Sequence, residues 1–323
     1  MFKHHYVYSS AYHIVTRSLS FTTNPSFMYL PYMNLYFKPG LTLLICLSSF
    51  LAVPLCAQSG FTKEQGDIYA KADYGGFSSA DYYDLNGARI QTDTFSQRFT
   101  SIYLEYGVIP RFTLILDWPA YRWQGYSSSK QVQGIGDLRV GLKWGILGGK
   151  FPLSLTIMPE FPIGPAELVA ENLSSNGMPF NLPTGDGEFN LNSFLSLSHS
   201  FYPIPAYLNL FLGYNLRTQY QGLSFQDQLS GGGELGAELA KGIWARVNIN
   251  LLQSLGSVPQ STDFVRGEGT SFSAFATGLT WMIIPNLGVD LSFQTFFGSP
   301  IPRRNVFDNR LLMLGLVFEK KQE

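Results

Sequence analysis

The sequence predicts an all-β chain, a single antiparallel transmembrane β-barrel of about twelve strands with short turns at one end and long loops at the other. Three observations predict it. Segments of about ten residues alternate between polar and apolar with a period of two, which is the side-chain period of a strand. Their connections alternate between short and long. Of 323 residues only 14% are charged and 15% are aromatic, with 32 glycines against 2 cysteines, a profile that suits a β-rich chain better than a helical soluble one. The net charge of −1 gives no footprint for nucleic acid. No stretch beyond residue 60 reaches the ~18 apolar residues of a membrane helix.

Residues 1–57 stand apart. They contain no Asp or Glu, and only Lys3, Arg17 and Lys38 as bases. From Met33 the chain reads "MNLYFKPGLTLLICLSSFLAVPLCA": one lysine, an apolar run from Leu41, then small residues ending at Ala57. That is the three-part plan of a cleavable secretory signal. Met33 therefore reads as the start, residues 1–32 as upstream sequence, and 58–323 as the barrel. The apolar run is short for a membrane anchor and holds Pro54, while bulky Leu55 before Cys56 argues against lipidation. Both cysteines, Cys46 and Cys56, fall inside this segment. Its removal leaves no disulfide and no Cys-bound metal site, and 23 acids stand against 19 bases.

The alternation places twelve strands near 67–76, 96–108, 112–123, 136–147, 151–162, 188–201, 207–218, 232–240, 243–254, 271–284, 287–298 and 308–320. In "GDLRVGLKWGIL" (136–147), Asp137, Arg139 and Lys143 share one face while Leu138, Val140, Leu142 and Trp144 share the other. Leu208, Leu210, Leu212, Tyr214 and Leu216 oppose Tyr207, Asn209, Phe211, Gly213 and Asn215 in the same way. Leu287, Val289, Leu291 and Phe293 oppose Gly288, Asp290, Ser292 and Gln294, and the last strand shows Leu312, Leu314, Leu316 and Phe318 on one side.

The connections decide between a barrel and a sandwich. "IPR", "GGK", "YPIPA", "KG" and "PN" join alternate strand pairs, and the segments 77–95, 124–135, 163–187, 219–231, 255–270 and 299–307 join the others. In a meander every short turn then lies at one end, as in outer-membrane barrels with short periplasmic turns and long extracellular loops. A sandwich has no reason to sort its loops by end. The bulky faces meet lipid, and the charged faces meet the bore. Tyr106, Trp144, Trp281 and Phe318 gather on the lipid face near the short turns, as a membrane-interface girdle.

The whole segment beyond residue 57 resembles the bacterial outer-membrane barrels grouped as meta-pathway phenol-degradation or FadL-like transporters. "GIGDLRVGLKWGIL", "YYDLNG" and the closing "LLMLGLVF" carry the resemblance. It implies a bacterial outer-membrane location, contact with outer-membrane lipids, and assembly through the barrel-assembly machinery, which reads the closing strand. It also implies passage of small solutes, hydrophobic ones included. Two departures stand out: the chain runs past Phe318 with "EKKQE", and it starts its first strand about ten residues after Ala57. The second departure leaves no room for the amino-terminal plug of fatty-acid transporters.

Little points to catalysis. His199 is the one histidine beyond residue 57; it faces outward near the short turns, while Ser198 and Ser200 face the other way. A barrel lipase needs a Ser–His pair near the long loops. Asp186 and Glu188 in "GDGE" offer carboxylates for calcium, but read better as a solvated loop turn. No metal, cofactor or catalytic residue is expected. Parity sends Asp73, Glu105, Asp117, Asp137, Glu160, Glu234, Glu238 and Asp290 inward with Lys71, Arg139, Lys143 and Arg246. These groups either line a water channel or pair into a closed bore. A solute channel or transporter is the first reading, a structural or adhesive surface barrel the second, and a barrel phospholipase a distant third.

Overall fold

The computed structural model describes residues 58–174, 177–256 and 267–322; the signal-like segment and its start at Met33 lie outside them. Twelve long strands form the wall. They are β1 (Ile68–Tyr83), β2 (Arg89–Ile109), β3 (Phe112–Tyr126), β4 (Leu138–Leu147), β5 (Leu153–Phe161) and β6 (Asn190–Ser200). The second half comprises β7 (Ala206–Arg217), β8 (Gln228–Ala240), β9 (Ile243–Ser254), β10 (Ser271–Ile284), β11 (Leu287–Phe297) and β12 (Arg310–Lys320). Each pairs antiparallel with its neighbour in sequence, and β1 pairs with both β2 and β12. The sheet is therefore closed. Closure leaves no unpaired edge, the condition for a sheet to exist in hydrocarbon.

Side-chain parity follows the expected sides. Leu142, Leu210, Leu291 and Leu314 are exposed on the outer face, while Lys143, Asn209, Asp290 and Met313, one residue away from each, are buried within. Tyr106, Trp144, Trp281 and Phe318 lie on the outer face beside the short turns, and Trp144 stacks on Phe112 across β3 and β4. His199 joins them: Phe151 stacks on its ring at 4.7 Å and its Nδ1 lies 2.9 Å from the Lys150 carbonyl. In the tight Lys241–Gly242 turn, Gly242 takes a φ of 76°, a left-handed value natural to glycine.

The structure departs from the sequence reading in two places. Segment 77–95 is not a loop. Strands β1 and β2 continue through it and stay paired up to Tyr83 and Arg89. The turn between them is only 84–88, where Asp84 Oδ1 accepts from the backbone amides of Asn86 and Ala88. The alternating residues on both sides can pair beyond the membrane because that turn closes tightly.

The second departure concerns the plug. Residues 58–66 do enter the bore at the short-turn end. The Gly60 amide donates to Ser198 Oγ at 2.7 Å, Ser154 Oγ donates to the Ser59 carbonyl at 2.9 Å, and the Lys63 amide donates to Thr113 Oγ1 at 2.8 Å. The wall makes room for this backbone with small inward residues. A Cβ at Gly107 would strike the Glu64 carbonyl, and one at Gly145 would press on Thr62. A plug made of nine residues without a strand or helix needs far less sequence than a folded plug domain.

Candidate functional site: the filled bore

The inward charges pair rather than standing in open water. On one side of the bore Lys143 Nζ donates to Glu105 Oε1 at 2.7 Å, and the Tyr103 hydroxyl donates to the same oxygen at 2.9 Å. Lys63 of the amino-terminal segment adds a cation 3.9 Å from Glu105 Oε2. Nearby, Arg139 Nη2 lies 3.1 Å from Asp117 Oδ2, joining β4 to β3. Burying a charge is tolerable only with such partners.

Round the wall from β9 to β1, next to the first network, a second one crosses four strand boundaries. Arg246 on β9 reaches Asp290 on β11 at 2.7 Å, and Lys71 on β1 reaches the same carboxylate at 2.7 Å and Asp73 at 2.9 Å. Thr280 completes it, accepting from Arg246 and donating to Asp290. Glycines let these side chains pass over the intervening strands. Gly278 lies opposite Arg246, and Gly315 lies between Asp73 and Asp290 in register. Sequence parity places the charges inward but carries no signal for which of them meet; the inward glycines were the missed clue.

Glu234 and Glu238 sit apart from both networks. The Tyr207 hydroxyl donates to Glu234 Oε1 at 2.8 Å. Glu238 does not reach the middle of the bore: its Oε1 accepts from the Gly242 amide and caps the turn between β8 and β9. The expectation of an inward lining group gives way there to turn chemistry, because Glu238 stands only a few residues from the strand end.

The bore is sealed at two levels. Tyr103, Ile115, Met158 and Phe194 form a buried apolar layer within it, packed against Tyr69 and Phe211. At the long-loop end Phe95, Ala170, Leu182 and Phe307 form another, with Phe95 stacked on Phe307 at 4.8 Å. Leu182 and Thr184 belong to loop 162–189, which folds inward rather than out. Strand β3 holds it there: Gln124 Nε2 donates to the Pro183 carbonyl at 2.6 Å and Arg122 Nη1 to the Thr184 carbonyl at 2.9 Å.

This inward fold overturns the reading of "GDGE" as a solvated turn. Glu188 is buried and accepts from Arg217 Nε at 2.6 Å. Asp186 lies at the inner wall, its amide donating to Asp137 Oδ2 at 2.6 Å. Burial, with the Glu160 carboxylate close by, pushes the Asp186 carboxyl up to about 8. Between the amino-terminal segment and the wall a small cavity remains, lined by Gln58, Asn209, Phe211, Glu234, Asn248 and Asn250. Four of its lining side chains are amides, set beside the Phe211 ring. Gln58 Oε1 and Asn250 Oδ1 are buried there without a hydrogen-bond donor.

No protein-family model matches the chain, and no curated protein matches it. Solved structures do. An outer-membrane channel from Pseudomonas putida F1 superimposes with a TM-score of 0.57 at 11% identity, over 84% of this chain and 98% of that one. The translocator domain of the autotransporter NalP from Neisseria meningitidis gives 0.45 at 6% identity, over 79% and 89%. The toluene transporter TodX from Pseudomonas putida gives 0.42 at 10% identity, over 81% and 90%. Together with the closed sheet, the apolar outer band and the sorted turns, the first of these likenesses gives the chain the fold of a bacterial outer-membrane β-barrel.

Proposed function

We propose that the chain is an outer-membrane channel for small polar solutes, held shut by its own amino-terminal segment and its inward loop. The observation that carries this reading is the cavity with four amide side chains left between the amino-terminal segment and the wall. Asn209, Asn248, Asn250 and Gln58 offer hydrogen-bonding groups of both kinds beside the Phe211 ring, which suits hydroxylated or amide-bearing solutes better than hydrocarbons. Three of the ties from residues 58–66 to the wall are single hydrogen bonds to hydroxyls, each worth about 0.5–1.5 kcal/mol, beside the Lys63–Glu105 ion pair and the Lys143–Phe61 contact.

The two apolar layers inside the bore favour a second reading, a structural barrel that never opens. Planar-bilayer recordings separate the two. The parent protein should open briefly and rarely, and deletion of residues 59–65 should give sustained conductance and let small sugars into vesicles. A folded deletion variant that neither conducts nor passes sugars would assign the barrel a structural role.

A further inference from the structure

Asp137, Glu160 and Asp186 bring three carboxylates together where loop 162–189 meets the inner wall, one oxygen of each lying within 4.8 Å of the others. They come from three places in the sequence: the residue before β4, the end of β5 and the inward loop. Three carboxylates at this separation repel unless a cation or a proton stands among them. The neighbouring arginines each hold another partner as well. Arg139 pairs with Asp117, Arg217 with Glu188, and Arg122 donates to the Thr184 carbonyl.

A second observation concerns Asn190. It faces Glu160 directly in the β5–β6 register and is 2% exposed. Its side-chain Oδ1 is buried with no donor. A buried carbonyl oxygen without a donor is unfavourable unless a bound group supplies positive charge. Asn192, the next inward residue on β6, donates to Glu160 from Nδ2 at 3.4 Å.

From this arrangement we infer that Asp137, Glu160 and Asp186, with the Asn190 amide oxygen, form a calcium site that clamps loop 162–189 against the inner wall. The donor set is all oxygen, which suits a hard cation and gives copper or zinc no nitrogen or sulfur to hold. Calcium accepts six to eight oxygens in flexible geometry, whereas magnesium demands near-ideal octahedral geometry, so carboxylates gathered from three separate segments suit calcium better. Asp137 also accepts from the amides of Gly164 and Asp186, at 2.8 and 2.6 Å. Both ends of the inward loop are thereby brought to the same carboxylate, and a cation bound to it would hold the lid as a unit.

Equilibrium dialysis of the purified full-length barrel, after chelation, tests the site with calcium and magnesium as probes. One calcium should be retained per chain, with magnesium at least tenfold weaker. Glu160→Gln and Asp186→Asn should each weaken calcium binding tenfold or more while still showing the heat-shifted gel migration of a folded barrel. Calcium should also slow protease cleavage within loop 162–189 in the parent and in neither variant. Absence of stoichiometric calcium, or equal retention by parent and variants, would overturn the proposal. Conductance plays no part in these measurements, so they stand or fall independently of the channel reading.

Discussion

Lys143 shows what one inward charge does. Its Nζ is buried against Glu105 and its stem crosses the wall beside the amino-terminal segment, where it also reaches the Phe61 carbonyl at 3.4 Å. Lys143→Met would leave Glu105 with only Tyr103 and a more distant Lys63. Losing one partner of a buried pair costs about 3–5 kcal/mol, so the midpoint of a urea titration in detergent should fall accordingly. Methionine and Lys143 have similar length, so an unchanged midpoint would mean the pair is not held dry. At this scale the sequence was half legible. Strict alternation in "LRVGLKW" sends Lys143 inward, yet nothing in it names Glu105 as the partner. That pairing depends on the β2–β3–β4 stagger, which side-chain periodicity does not encode.

The element that best tests the two-faced wall is β7. Leu210 lies mid-strand on the outer face, and neighbouring Asn209 is buried inside, accepting from Ser198 Oγ at 2.6 Å. Leu210→Arg puts a charge near the bilayer midplane, worth about 2–4 kcal/mol of destabilisation. The same change at Leu223, exposed in the hairpin beyond the membrane, should be close to neutral in the same refolding titration. Equal effects would show that β7 does not face lipid. Twelve strands and their faces were legible because the hydrocarbon layer enforces alternation. The tall β1–β2 hairpin was not, since polar strands above the membrane alternate only polar with polar, as in "SSADYYDLNGARIQTDTF". The inward course of residues 58–66 was hidden for a similar reason. Its receptors are small residues such as Gly107, Thr113 and Ser154, and smallness inside a barrel reads as mere space.

In the molecule as a whole the ends of the chain meet at β1 and β12, and the Lys71–Asp73–Asp290–Arg246 network crosses that junction over Gly315. A methyl group at Gly315 would strike Asp73 Oδ1. Gly315→Ala should therefore lower the temperature at which the folded band converts to the unfolded one on gels, whereas Gly148→Ala, in a turn with nothing near it, should leave it unchanged. The same junction bears on the order of assembly. Contacts between the first and last strands close the longest loop in the chain and so form late. Until then Lys71 and Asp73 on one free margin, and Asp290 one strand in from the other, remain hydrated. Charges at an open sheet margin discourage it from adding a strand of another molecule. The ions that lock the finished cylinder would thus guard the unfinished one, and lose their water only when each chain end has found the other.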